Sequence, residues 1–427
     1  MDLVVDQENG GIEFANFVTQ SLGIYSDSNP VVFPTYGTAK FNLRGIEHEG
    51  YDLSDVDIEV VMPRGERYTE GSRKPEVFNS TLEEDVFRRD FSVNSLLLDI
   101  SNNNVLDYSK RGIKDINEGI IDTMLPPEDI FKDDALRQLR SIRFSVKFGW
   151  KISDRVQKSI LENAHWIQSI SSERIQEELN KILISNNPVR GIQLIQKLGL
   201  SQYIFPELDE NIGVVQNAHH KDDVMGHILE VVSNTPADLK VRLAALFHDI
   251  GKKNTKSIGE DGRIHFYQHE HEGATIAENI MRRLKYPNDM IKSVRILVKT
   301  HMRLKCAKPD GGGISEKALR KYLRDVKEEL YPSLDLIHAD NISHAGASNM
   351  PDQIPAIKNR LKELNYTYKS KPPITGNDII KHFNLETGPI IGELIGVAKE
   401  EFLANPKITK EEVLEKIQNF LSIRFNA

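Results

Sequence analysis

A single cysteine, Cys306, in 427 residues excludes an internal disulfide framework and predicts a reducing, cytoplasmic setting. No apolar run approaches the roughly 18 residues that a membrane span needs, so no membrane partner is expected. The N-terminus is acidic and lacks the basic and apolar regions of a secretory leader. Positive charge is not in surplus either: 55 Lys and Arg stand against 63 Asp and Glu, for a net charge of −8. That balance excludes a generic nucleic-acid coat protein, so any RNA contact has to be a local patch. No internal repeat or low-complexity tract is present. What remains is the composition of a soluble globular protein, 39% hydrophobic and 28% charged. The chain is too long for one ordinary core, which predicts two to four domains and leaves the oligomeric state open.

The first chemical signal is Asp85-Val86-Phe87-Arg88-Arg89-Asp90-Phe91-Ser92-Val93-Asn94-Ser95, followed by the β-prone Leu96 to Ile100. Arginine suits forked hydrogen bonding of phosphate oxygens, and Asp90 offers an acceptor to a ribose hydroxyl. A solvated helix end with a surface ion pair explains such a stretch equally well in isolation. A second basic stretch runs from Asp134 to Arg143. Its apolar positions 136, 139, 142 and 146 predict one helical stripe. Asp134, Arg137, Arg140 and Arg143, three apart, are expected to share another face, a positive stripe suited to phosphates. Ahead of both, a strand over Met1 to Asp6, a helix over Ile12 to Val18 and strands near 31–33, 38–43 and 56–62 predict a small mixed α/β region up to about Ile121. Nearly continuous helix is expected from Pro126, with Ser172 as an N-cap.

The third region, about Val214 to Ser348, holds His219, His220, His227, His248, His265, His269, His271, His301, His338 and His344. His248-Asp249 closes the apolar helix Val241–Phe247, and Asp340 sits in a later helix from Leu334. A lone histidine is usually a satisfied polar group. Imidazoles and carboxylates in this number are instead ligands for zinc, manganese, iron or nickel. The expected site is His227, His248, Asp249 and Asp340, with His269 and His301 as candidates for a second ion. The tail from Lys371 reads as a small helical cap.

Together these stretches resemble the class II CCA-adding tRNA nucleotidyltransferases, which share a catalytic head with bacterial poly(A) polymerases. Arg88 to Ser95 is similar to the family's R-R-D-F-T-I-N-A motif, and Asp107-Tyr108 through Gly112 and Asp115 to its D-P-x-G-G-x-x-D-L segment. Asp134-Ala135-Leu136-Arg137 resembles E-D-x-x-R, with Asp133 where the family has glutamate. Ser172 to Ile175 resembles the E-R-I segment, and His227, His248-Asp249 and Asp340 resemble the HD metal-binding domain that some members carry. The family's front piece, a glycine pair and the first aspartate of D-x-D, has no counterpart; Met1-Asp2-Leu3-Val4-Val5 matches the end of that strand. Asp55 and Asp57 read as loop or strand-entry residues ahead of Glu59.

The resemblance implies an α+β, polymerase-β-like nucleotidyltransferase head, incomplete at its N-terminus, then an all-helical neck and body, an HD domain and a tail. The expected boundaries are 1–122, 123–210, 211–348 and 349–427. It implies CCA addition to tRNA 3′ ends from CTP and ATP by two-metal nucleotidyl transfer. Asp2 and Glu59 would be the surviving catalytic carboxylates for Mg²⁺. Arg89, Arg140 and Arg143 would face phosphates or sugar, Asp90 and Asn94 would fix the ribose, and Asp134 with Arg137 would read the base. The head as it stands is expected to work slowly or not at all. A poly(A) polymerase, or an HD phosphohydrolase with a vestigial head and a transition metal such as Mn²⁺, Ni²⁺ or Zn²⁺, stays open as an alternative.

Overall fold

The computed structural model describes residues 1–67, 76–216, 222–305, 307–310, 312–345, 348–363, 372–405 and 408–425. His219, His220, Cys306 and Lys371 lie outside the described residues. The backbone divides into two compact units, Met1–Ser171 with Lys197–Leu200, and Ser172–Gln196 with Ser201–Ala427.

The first unit opens with β1 (Asp2–Val4), α1 (Gly10–Ser21), β2 (Val31–Phe33), β3 (Thr38–Asn42), the short pair β4 (Glu47–His48) and β5 (Tyr51–Asp52), and β6 (Asp57–Val61). Four of these strands form a sheet in the order β1-β6-β3-β2. β1 runs parallel to β6, and the other pairs are antiparallel. The period-2 alternation of the strands sorts the sheet into two faces. Leu3, Val5, Ala39, Phe41, Ile58 and Val60 pack with Ala15, Ile12, Phe14 and Val18 of α1. Asp2, Lys40, Asp57 and Glu59, at the intervening positions, are exposed. Gly11 makes the close approach of α1 possible, since a Cβ there would stand 2.5 Å from the Gly37 carbonyl oxygen.

A hairpin of β7 (Arg64–Arg67) and β8 (Glu76–Asn79) follows, then α2 (Leu82–Phe87), started by a Thr81/Glu84 capping box. Phe91-Ser92-Val93-Asn94 turns through a short 3₁₀ segment into the hairpin β9 (Leu97–Asp99) and β10 (Asn104–Leu106). α3 (Gly112–Glu118), β11 (Ile120–Ile121), α4 (Pro127–Asp133), α5 (Leu136–Phe148), β12 (Lys151–Ile152) and α6 (Asp154–Asn163) complete the unit. Asp122 ties its loops together, accepting from Arg111 at 2.5 Å and from Arg155 at 2.9 Å.

Among the described residues, the regular structure of the second unit is helical apart from one small hairpin. It comprises α7 (Ser172–Leu183), α8 (Pro188–Lys197), α9 (Ser201–Ile204), α10 (Pro206–Asp209), α11 (Val224–Asn234), α12 (Leu239–Phe247), α13 (Lys252–Thr255), the hairpin β13 (Lys256–Ile258) and β14 (Ile264–Phe266), α14 (His269–Arg283), α15 (Asn288–Thr300), α16 (Glu316–Val326), α17 (Leu330–Ile342), α18 (Gln353–Glu363), α19 (Gly376–Phe383), α20 (Pro389–Ala404) and α21 (Lys410–Phe425). Only the last residue of α8 belongs to the first unit. α7 takes in Ser172 as its first residue, one position earlier than the expected cap allows. Every residue from Val241 to Phe247 is buried. A helix buried on all sides, Arg242 included, is the central rod of a bundle, and α11, α14, α15 and α17 surround α12. A separate apolar cluster, with Ile379, Leu394, Val413 and Ile417 at its centre, holds the last three helices together.

Candidate functional sites

On the open face of the sheet, Asp2 stands directly beside Glu59 in the parallel β1–β6 register. In a parallel ladder, paired residues point to the same side. Asp57 begins β6 two residues before Glu59 and therefore shares that face. Its carboxylate receives Lys40 Nζ at 2.7 Å and Asn42 Nδ2 at 3.0 Å. The Lys40 and Asn42 hydrogen bonds hold Asp57 below the usual carboxylate range. Three exposed acids on one face are a hard-oxygen donor set of the kind that Mg²⁺ takes. The sequence placed Asp57 at the strand entry, where it lies, but missed that its side chain joins the other two.

The Arg88–Asn94 stretch is organised by a residue to which the sequence assigned no role. Asp85 is 2% exposed. Its Oδ1 accepts from Arg88 Nη2 at 2.5 Å, and its Oδ2 accepts from Arg89 Nε and Nη2 at 3.3 and 3.0 Å. Arg89 Nη1 donates to the Asn94 carbonyl at 3.0 Å. Asp90 is equally engaged: Oδ1 accepts from the Phe91 N–H at 3.0 Å and Asn94 Nδ2 at 2.9 Å, and Oδ2 from Arg140 Nε at 2.7 Å. Arg140 Nη2 adds a second contact at 2.6 Å. A carboxylate has about four lone-pair sites, and these four contacts fill them. Asp90 therefore acts on its surroundings through Arg140 and Asn94. The Arg143 guanidinium lies over the Phe144 ring at 4.2 Å.

One expectation needs correction. Asp134 is not on the helix with Arg137, Arg140 and Arg143. α4 ends at Asp133, Asp134 is extended with φ −151°, and α5 begins at Leu136. The reason is local: Asp134 Oδ1 accepts from the Leu136 N–H at 3.1 Å, so the side chain serves the start of α5 as a turn residue. Its carbonyl still accepts from the Arg137 N–H at 3.0 Å, which keeps the two residues adjacent. Arg137 also lines a recess of about 200 Å³ with Gly65, Phe78, Ser80, Glu84, Arg88 and Asp133.

In the second unit the histidines converge. Asp249 is the hub: His227 Nε2 and His248 Nε2 lie 3.6 and 3.2 Å from its Oδ2, and His269 Nε2 and His301 Nε2 lie 3.2 and 3.7 Å from its Oδ1. Asp340 Oδ1 is 3.2 Å from His227 Nε2. These residues form two buried triads, His227–His248–Asp340 and Asp249–His269–His301. The Nδ1 atoms of His248, His269 and His301 face the carbonyl oxygens of Ala245, Phe266 and Val298 at 2.8, 2.8 and 2.7 Å. That contact places a proton on Nδ1 and turns Nε2 toward the cluster, the usual second-layer orientation of metal-binding histidines. His248 Nε2 is buried and makes no hydrogen bond. Burial, with the charges of His248 and His269, pushes His301 down to about 3, so it is neutral at ordinary pH. Burial opposes ionisation of Asp249, yet His248 and Lys252 hold it well below the usual range. The donor set fits one or two transition-metal ions.

Spacing rather than folding preference brings the hub to its partners. Gly251 packs against the start of α14, where a Cβ would stand 2.5 Å from the His269 carbonyl oxygen and 2.6 Å from the Gly273 nitrogen. No other residue type fits there. The sequence missed two cations in the cluster, Lys252 at 2.7 Å from Asp249 Oδ2 and Lys305 at 2.7 Å from Asp340 Oδ2. It also missed His344, whose Nδ1 lies 3.4 Å from Asp340 Oδ1. Lys252 had a signal, being one helical turn after Asp249; Lys305 had none.

Family models match three parts of the chain: the poly A polymerase head domain over 33–122, the probable RNA- and SrmB-binding site of polymerase A over 149–212, and the HD domain over 203–343. The CC-adding tRNA nucleotidyltransferase of Thermus thermophilus is 30% identical over 345 residues, covering 78% of this chain and 76% of that protein. The chain belongs to the family of CCA-adding tRNA nucleotidyltransferases and poly(A) polymerases. The A-adding tRNA nucleotidyltransferase of Deinococcus radiodurans is 28% identical over 355 residues, 79% of each chain. The fold agrees with that of the Bacillus stearothermophilus CCA-adding enzyme in complex with CTP, at TM-score 0.65 and 19% identity over 100% of this chain and 90% of that one. The Thermotoga maritima CCA-adding enzyme complexed with tRNA gives TM-score 0.56 at 19% identity, over 98% and 86%. The polymerase head, helical body and HD domain read from the sequence are thus the architecture of this nucleotidyltransferase family. No described helix is long and apolar enough to cross a membrane.

Proposed function

We propose that this chain adds CCA to tRNA 3′ ends from CTP and ATP, in the cytoplasm. The parts are a head at 1–122, a neck and body at 123–210, an HD domain at 211–348 and a tail at 349–427. The observation that carries the reading is the shared open face of Asp2, Asp57 and Glu59 within a chain 30% identical to a tRNA nucleotidyltransferase. Asp2, Asp57 and Glu59 would hold Mg²⁺, which would supply stabilisation of the charge that develops in nucleotidyl transfer. Arg89, Arg140 and Arg143 neutralise phosphate charge; Arg89 is fixed beforehand by Asp85 and Arg140 by Asp90. Asn94, held by Asp90, is left to meet the ribose. Asp134 and Arg137 read the base edge as an acceptor beside a forked donor, which leaves partners unmet when UTP or GTP enters.

The test is single-turnover extension of a tRNA lacking its last three nucleotides, with protein in excess so that a slow reaction is still seen. CTP alone should give two additions, and CTP with ATP three. ATP alone giving a long homopolymer makes the chain a poly(A) polymerase. Additions by only CTP or only ATP make it a CC-adding or A-adding enzyme, as the Thermus and Deinococcus relatives are named. No incorporation at all would refute CCA addition by this chain. In the same assay Asp134→Ala is expected to raise UTP and GTP incorporation about tenfold relative to CTP and ATP, the loss of one discriminating partner. A lower rate with unchanged selectivity would remove the base-reading role.

The HD cluster favours a second activity beside the first. Four imidazoles and two carboxylates that meet on Asp249 exceed what a purely structural ion needs. A bound transition metal would activate water there toward a phosphomonoester or a 2′,3′-cyclic phosphate.

A further inference from the structure

The cluster around Asp249 contains two ammonium groups that no metal-ligand role accounts for, and they are held differently. Lys252 is 8% exposed at its side chain and is fixed from two sides, by Asp249 Oδ2 at 2.7 Å and by Gln216 Oε1 at 2.6 Å. Lys305 is 19% exposed at its side chain, and among the described residues its Nζ contacts Asp340 Oδ2 alone, at 2.7 Å. An ammonium group has three donors, so two of those on Lys305 are unspent at the rim of the cluster. Asp340 divides its oxygens accordingly. Oδ1 faces His227 at 3.2 Å, and Oδ2 faces Lys305. A metal ion taken up by His227, His248 and Asp340 can use Oδ1 and leave the lysine in place. Lys305 also follows the 3₁₀ segment His301–Leu304, so one short stretch of chain supplies both a candidate ligand and a cation.

We propose that Lys305 is the phosphate-positioning residue of the HD site. It donates to a non-bridging oxygen of a phosphomonoester or cyclic phosphate while remaining anchored on Asp340. The proposal rests on the phosphohydrolase reading and adds the residue that would receive the anion. A like assignment to Lys252 is less favoured, because its partners already fix it on two sides.

Full-length protein loaded with Mn²⁺ is assayed for metal content by atomic emission and for inorganic phosphate binding by calorimetry. Wild type should bind phosphate only when Mn²⁺ is present. Lys305→Gln should keep its Mn²⁺ and bind phosphate about tenfold more weakly or worse, the loss of one charge-assisted hydrogen bond. Lys305→Arg should bind within a few-fold of wild type. On the wild-type protein, phosphate should protect Lys305 several-fold from acetylation and leave the exposed Lys317 unprotected. Mn²⁺-loaded wild type that binds no phosphate would overturn the phosphohydrolase reading itself. Wild type that binds phosphate without protecting Lys305, or Lys305→Gln that binds it equally well, would overturn only the assignment of Lys305. Lys305→Gln that loses its Mn²⁺ would show the lysine to be a counter-ion of Asp340 and nothing more.

Discussion

Asp249→Asn is expected to abolish transition-metal binding by the second unit, whereas His269→Ala should remove no more than one ion. The asymmetry follows from the hub geometry. Asp249 offers one oxygen to His227 and His248 and the other to His269 and His301, all within 3.2 to 3.7 Å. Asparagine keeps the shape but replaces one oxygen with a group that cannot ligate, and it removes a negative charge that lies within 3.7 Å of imidazoles from both triads. His269→Ala leaves His227, His248 and Asp340 complete. Emission spectrometry after dialysis against Mn²⁺, Ni²⁺ or Zn²⁺ reads the count. Equal metal content in wild type and Asp249→Asn would reduce the pair His248-Asp249 to a hydrogen bond at a helix end. Chelation is a separate matter. Lys252 and Lys305 already neutralise the two buried carboxylates. The unit should therefore stay folded without metal, unlike small metal-dependent domains; loss of its helical signal on chelation would contradict that.

Local pattern carried a large share of this structure. Strict alternation placed Ala39, Phe41, Ile58 and Val60 on one sheet face, and it made β3 and β6 readable to within a residue or two. The largely apolar Val241–Phe247 and the pair after it located α12 and the metal-ligand candidates at its end. What escaped is what depends on a partner distant in sequence or on one side-chain contact. The periodicity of 134–143 is satisfied equally by a helix through Asp134 and by one that starts after it. A single hydrogen bond to Leu136 decides for the second. Lys305 and Asp340 are 35 positions apart, and nothing in either neighbourhood signals the other. Asp85 looked like an ordinary acidic residue in a helix turn, because burial is a property of the neighbours that cover it.

That burial makes Asp85 the most consequential position of the head. Asp85→Ala removes the acceptor for two adjacent guanidinium groups, each about a quarter exposed at its side chain. Arg88 keeps its bond to the Arg64 carbonyl at 2.6 Å, and Arg89 keeps its bond to the Asn94 carbonyl at 3.0 Å. Neither retains a counter-charge on Asp85, and the two cations repel. Removing one partner from a buried ion pair costs about 3–5 kcal/mol. Partial exposure of the arginines places this case near about 3 kcal/mol on that scale. The functional effect should be larger than the stability effect suggests. Arg89 can meet a triphosphate only where Asp85 and Asn94 hold it, and an unfixed guanidinium must pay its ordering entropy at binding. CTP and ATP binding by equilibrium dialysis should fall about tenfold or more, since fixed donors in such sites are worth on the order of 10²–10³ in rate. The metal content of the second unit should not change, which separates a local lesion from general unfolding. Asp85→Asn should fall between, because its amide oxygen can still accept from one arginine but not balance two. Full nucleotide affinity in Asp85→Ala, alongside a lowered melting temperature, would make the clamp a structural tie between Arg64 and the start of the 3₁₀ turn, with no part in binding.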